Sequence, residues 1–159
     1  MPTARGIALF LASCWLSVTL CAQPLWALLG PEIEILDRVN EVRAERHLSG
    51  LRNDPELAKV ALAHAQDMAK QGYLDHVNKS GRNPLERVQD AGIDGFRLLA
   101  ENIGSTSQEG SRVALLMDNW LDSPIHRENL LNPAFNTSGI GVATRPDGTT
   151  IAVQLFATF

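Results

Sequence analysis

Two histidines and a glutamate are the side chains of this sequence best suited to chemistry. His76, Glu101 and His126 follow one another at steps of 25 residues. Two neutral imidazoles, with waters filling an open shell, can hold Zn2+ or another divalent cation. A carboxylate beside them would orient an imidazole N–H or a bound water, which makes Glu101 the candidate for any catalytic role. A loop histidine is also ordinarily solvated, a lone acid can cap a turn and His126 can be a surface residue, so the residues alone leave those readings open. Two protein ligands, fewer than the three usual for catalytic zinc, would hold a cation weakly and reversibly. Without a cation the same groups form a polar patch that can hydrogen-bond a ligand. Steps of this length do not bring the three together; only folding can.

The elements around each residue suggest how they are positioned. In Trp120-Leu-Asp-Ser-Pro-Ile-His126, Pro124 discourages Ser123 from remaining helical, so the helix carrying Trp120 should stop there. Ser123 suits an N-cap and Pro124 the first helical position, which starts a new helix with His126 in its first turn. The positive end of a helix dipole disfavours an imidazolium, so His126 is expected neutral. His76 lies in a stretch, Tyr73 to Asn83, that reads as irregular. Glu101 sits between Leu98, Leu99 and Ile103, and a carboxylate in such a setting needs partners if buried.

The remaining pattern is helices first and strands last. Pro31 opens a helix to about His47, striped by Ile35, Leu36, Val39 and Val42 and ended by Ser49-Gly50. Asp54-Pro55 starts a second, lined by Leu57, Ala61, Ala65 and Met68 and stopped by Gly72. His64 lies on that stripe and reads as a core or boundary residue. Pro84 opens a short helix to Ala91. A fourth, about Gly110 to Asp122, carries Val113, Leu116, Met117 and Trp120 at helical spacing. Thr137–Thr144 and Thr149–Phe159 flank the turn Arg145-Pro-Asp-Gly148, which predicts an antiparallel hairpin. This order argues for an α+β domain.

Composition narrows the function classes. The formal charge is −4, with no basic run, so nucleic acid is not an expected partner. Arg5, the apolar run Ile7–Leu20 and the small residues at Cys21-Ala22 read as a signal peptide over residues 1–22, with Ala27 as a later cleavage point. That run is too short for a comfortable membrane span, and no transmembrane segment is expected in the mature chain. Both cysteines, Cys14 and Cys21, fall within this leader, so the exported protein would lack disulfides and depend on its core. Secretion or a periplasmic location follows from this reading.

Several motifs in order carry a family resemblance. They are Leu57-x3-Ala61-x2-His64-Ala-x-Asp-Met-Ala69, His76, Gly81-Arg-Asn-Pro84 with Arg87, and Ala100-Glu-Asn-Ile-Gly104. Trp120-x2-Ser-Pro-x-His-Arg-x-Asn-Leu-Leu131, Gly139-Ile-Gly-Val142 and Gln154-x-Phe156 follow. From Ile33 to Phe156 the chain resembles the CAP superfamily of cysteine-rich secretory, antigen 5 and pathogenesis-related proteins, most of all its bacterial SCP-domain branch. The resemblance implies a CAP/SCP domain over residues 31–159, folded as a three-layer α-β-α sandwich with a central antiparallel sheet. It implies a groove lined by His76, Glu101, His126, Trp120 and Asn102, with His76 and His126 as metal ligands. Many members carry a second acid three positions after the tryptophan, where this chain has Ser123. Asp122 should face away, at roughly 200° round the helix from Trp120, and Glu128 is a weaker contributor. The expected function is binding of a small molecule, a lipid or another cell-envelope component. A metal- or Glu101-assisted hydrolase and a non-catalytic interaction protein are the alternatives.

Overall fold

The computed structural model describes residues 30–108 and 110–159. The signal-peptide and cleavage expectations lie outside the described residues. Among the described residues five helices and four strands follow in the order α1 (Pro31–Glu45), β1 (Arg52–Asn53), α2 (Pro55–Gln71), α3 (Pro84–Asp90), β2 (Leu98–Thr106), α4 (Arg112–Asp122), α5 (Pro124–Leu131), β3 (Thr137–Thr144) and β4 (Thr150–Thr158).

Local chemistry sets most of these boundaries. The Asp54 carboxylate accepts from the backbone N–H groups of Glu56 and Leu57, and Pro55 takes the first position of α2. Gly72 closes that helix in the left-handed region. Asn83 and Glu86 form a reciprocal capping box at the start of α3. Ser111 caps α4 through its hydroxyl. Ser123 departs from expectation: it is the N-cap of α5 by position, yet its side chain makes no capping bond. It is also the C-cap of α4, and it serves both helices through its backbone, its N–H donating to Asn119 O and its C=O accepting from Arg127 N. The first helix ends at Glu45, ahead of Ser49-Gly50, where the backbone reverses at His47 with φ 58°.

The sheet runs β1-β3-β4-β2. β3 pairs antiparallel with β4, and β4 with β2, while the two-residue β1 runs parallel to β3. The sheet is therefore mixed at one edge. One core packs α2 and Val88 of α3 against Ile103, Ile151, Val153 and Leu155. The other packs Ile35, Val39, Leu116 and Trp120 against Ile140, Ala152 and Phe156. This is the expected α-β-α sandwich, each strand alternating its side chains between two helical layers.

Two features hold the layers at their distances. At Gly139 and Gly141 an added Cβ would lie 2.3 Å from Ala58 N and 2.1 Å from Leu62 N, so α2 rests directly on the backbone of β3. On the opposite face Arg43 of α1 is wholly buried. Its guanidinium donates to the carbonyls of Ser49, Leu130, Asn132 and Phe135 at 2.8–3.2 Å. Two of these belong to the C-terminal end of α5, so a residue of the first helix anchors the helix that carries His126.

Candidate functional site

The site is built around the free edge of the sheet. β2 is the last strand, and its residues 101 and 102 point to opposite faces. Glu101 faces the α2–α3 layer. His76 Nδ1–H donates to Glu101 Oε1 at 2.8 Å, and Arg87 Nη2 donates to Oε2 at 2.5 Å. The Glu101 side chain is only 1 % exposed, while that of His76 is 47 % exposed. A buried carboxylate with both oxygens engaged thus orients a ring whose Nε2 is left for a ligand.

Arg87 is the residue that sequence reasoning undervalued. It is nearly buried, and besides Glu101 it donates from Nη1 to His76 O at 2.6 Å and Arg82 O at 3.0 Å. The segment carrying His76, irregular as expected, is therefore ordered. Asn78 Oδ1 accepts from the N–H groups of Ser80 and Arg82, and Asp75 Oδ1 from Val77 N. One guanidinium ties this loop, α3 and β2 together. An arginine four residues into a capped helix carries no sequence signal for this; only its place after Gly81-Arg-Asn-Pro84 pointed to it.

Asn102 faces the other layer. It is fully buried, donates from Nδ2 to His126 O at 3.0 Å, and accepts at Oδ1 from Asn129 Nδ2 at 2.9 Å. The structure places it as a strut between β2 and α5, away from the groove surface. Trp120 likewise lies in the core, 1 % exposed, its indole Nε1–H donating to Ile103 O at 3.0 Å. It closes the sheet edge beside Gly104, where an added Cβ would meet Nε1 at 2.8 Å. Both residues position the site and leave the lining to others. Asp122 and Glu128 are exposed.

His126 approaches from α5, past the edge of β2, half-buried. Its pKa is lowered from 6.5 by burial and then by the charge of His76. The expected neutral form is supported, but burial and the second histidine cause it. His76 is shifted the other way, raised from 6.5 chiefly by its hydrogen bond to Glu101. His64 is a support behind the site: buried, its Nε2–H donating to Asp75 O at 2.9 Å, its pKa lowered by burial and then by Arg87.

Beside Glu101 a groove of about 480 Å3 opens between the start of α3 and the free end of β2, lined by Pro84, Leu85, Phe96, Leu98 and Leu99 among others. The donor set tests the fit of a cation. Both Glu101 oxygens carry protein partners, and no group of three or more His, Cys, Asp or Glu among the described residues is arranged to hold a metal. The described residues offer no closed structural site, and within the trio His76 Nε2 and the His126 ring are the imidazole donors left without a protein partner among them.

Comparison with known proteins settles the family. A family model described as CAP, cysteine-rich secretory protein family, matches residues 36–156. The chain belongs to the CAP family. This CAP chain is 33 % identical over 111 residues to the uncharacterized membrane protein YlbC of Bacillus subtilis, a match covering 70 % of the chain and 31 % of YlbC. Among solved structures it is similar to an extracellular SCP-domain protein of Bacillus anthracis, with TM-score 0.73 and 30 % identity, covering 82 % of the chain and 41 % of that protein. It is also similar to an outer surface protein of Borrelia burgdorferi, with TM-score 0.72 and 25 % identity, covering 80 % of the chain and 92 % of that protein. The CAP chain spans about a third of the length of YlbC. No helix among the described residues is long and apolar enough to cross a membrane.

Proposed function

We propose that this CAP chain is an exported binding module that takes a small or envelope-derived ligand at the His76–Glu101–His126 hollow. The observation that carries the reading is the Glu101 clamp. A buried carboxylate held by Arg87 fixes the ring of an exposed histidine, and the same glutamate borders an apolar groove. Sites of this kind pair apolar lining with a few placed polar groups. Export agrees with the leader read at residues 1–22 and with the extracellular and outer-surface proteins it is similar to.

His76 Nε2 and the His126 ring would hold a divalent cation such as zinc, with Glu101 setting the His76 tautomer. Once bound, the cation would supply an exchangeable positive point for a ligand oxygen. Glu101 already accepts hydrogen bonds at both oxygens, which favours binding over a role as general base in hydrolysis.

The test is equilibrium dialysis of the full chain against Zn2+, with and without the double substitution His76→Ala/His126→Ala. We expect uptake at these residues and at least a roughly tenfold loss in the variant. Unchanged uptake in a folded variant contradicts the imidazole pair.

A further inference from the structure

We propose that the groove beside Glu101 takes an extended peptide, paired with the free edge of β2 and ending in a carboxylate at Arg97. The proposal rests on the binding reading above and adds the class of ligand. Three observations carry it.

The first is the edge itself. Among the described residues β2 has a strand neighbour only on its β4 side. Further along, the Ile103 carbonyl is taken by the Trp120 indole, and Asn102 is bridged to α5. At Leu98–Ala100 no helix, loop or side chain among the described residues takes that part, and Leu98 is 47 % exposed. Alternate residues of an edge strand turn N–H and C=O outward, here Leu99 and Glu101, about 7 Å apart. An acyl chain has nothing to offer these N–H and C=O groups, whereas an extended peptide supplies their complements.

The second is the wall. Leu85, 43 % exposed, and Pro84 face Phe96 and Leu99 across the groove, and Phe96 is backed edge-on by Phe159 at 6.3 Å. A strand laid on the edge sends every second side chain into this apolar slot.

The third is charge. Arg97 lines the groove, is exposed, and its guanidinium has no ion pair or hydrogen bond among the described residues. Its own backbone N–H is fixed by Thr158 O at 2.8 Å, so the side chain springs from a set backbone position at the end of the edge. A guanidinium there fits a peptide carboxylate.

The experiment is fluorescence anisotropy of the full chain with a fluorescein-labelled pentapeptide of alternating threonine and leucine with a free C-terminus. Saturable binding is expected. Amidating the C-terminus, or the exposed substitution Arg97→Glu, should weaken it by about tenfold. Methylating alternate backbone amides of the peptide should abolish it. Leu85→Arg, also exposed, should weaken it by blocking the wall. The Arg97→Glu and Leu85→Arg variants should take up zinc as the unsubstituted chain does, so loss of the imidazole pair and loss of this groove are read separately. No binding at millimolar peptide, equal binding of the methylated peptide, or dodecanoate binding in its place would each overturn the proposal.

Discussion

At the scale of single residues, the two site histidines are driven in opposite directions by their surroundings. Hydrogen bonding to Glu101 raises His76, while burial and the neighbouring His76 charge lower His126. A raised histidine contributes stability that is fully present below its unfolded value and is lost as pH rises through the folded value. A lowered histidine contributes stability present above the unfolded value and lost as pH falls through the folded value. The His76–Glu101 contact is therefore strongest at mildly acid pH, and the neutral His126 is favoured above it. Glu101→Gln should remove most of the His76 shift, and imidazole NMR titration should show the His76 pKa falling toward or below 6.5. A His76 pKa unchanged in that variant would mean that Glu101 does not orient the ring.

His76, Glu101 and His126 were marked by the order of the motifs, since each has an ordinary local setting, and the structure joins His76 to Glu101. Arg43 and Arg87 were not legible as anchors. Each sits on a helix with polar neighbours, where an arginine ordinarily points to water. Nothing local distinguishes an arginine that instead finds four carbonyls, or a carboxylate and two carbonyls, on other elements. Trp120 and Asn102 were read as groove lining for the converse reason: the motif marks them as special without saying on which side of the wall they stand.

At the scale of elements, the cap and proline signals located α2, α3 and α5 because such signals act within one turn. Strand β2 was missed as a strand. Its centre, Glu101-Asn-Ile103, is covered on both faces, and each face holds a polar residue, so the apolar–polar alternation of a half-exposed strand is absent. β1 is too short to leave any pattern. The close approach of α2 to β3 makes a sharp prediction. Gly141→Ala would put a Cβ 2.1 Å from Leu62 N, which is backbone and cannot rotate aside. We expect a loss of about 3 kcal/mol or more in denaturant unfolding. Near-neutral behaviour would show that the two layers are loosely apposed.

Arg43 makes a second. Arg43→Met removes the donor to four carbonyls at the junction of α1, α5 and the following loop. Leaving these carbonyls without a partner in a buried setting should cost roughly 3–5 kcal/mol. Because Leu130 and Asn132 hold the end of α5, amide exchange in residues 124–132 should rise more than in α2. Equal protection of both helices would contradict the anchoring role.

At the scale of the whole molecule, the sheet separates two cores, and both outer layers reach its β2 edge. His76 and its clamp belong to the α2–α3 side, and His126 to the α4–α5 side. The site thus depends on both layers being docked, through the Gly139–Gly141 contact on one face and the Arg43 junction on the other. The order of helices and strands sufficed to infer the α+β class, and the sequence of motifs sufficed to infer the sandwich. The role of the open edge needed coordinates, since it depends on which strand comes last in the sheet.

The most direct test of the shared histidine site uses the fact that the chain has only four histidines. Long-range 1H–15N spectra of the imidazoles should be followed during a titration with Zn2+ at neutral pH. His76 Nε2 and a His126 ring nitrogen should shift together along one binding curve, while His47 and His64 stay still. Independent curves for His76 and His126, or a response confined to His47 or His64, would contradict a site shared by the two rings.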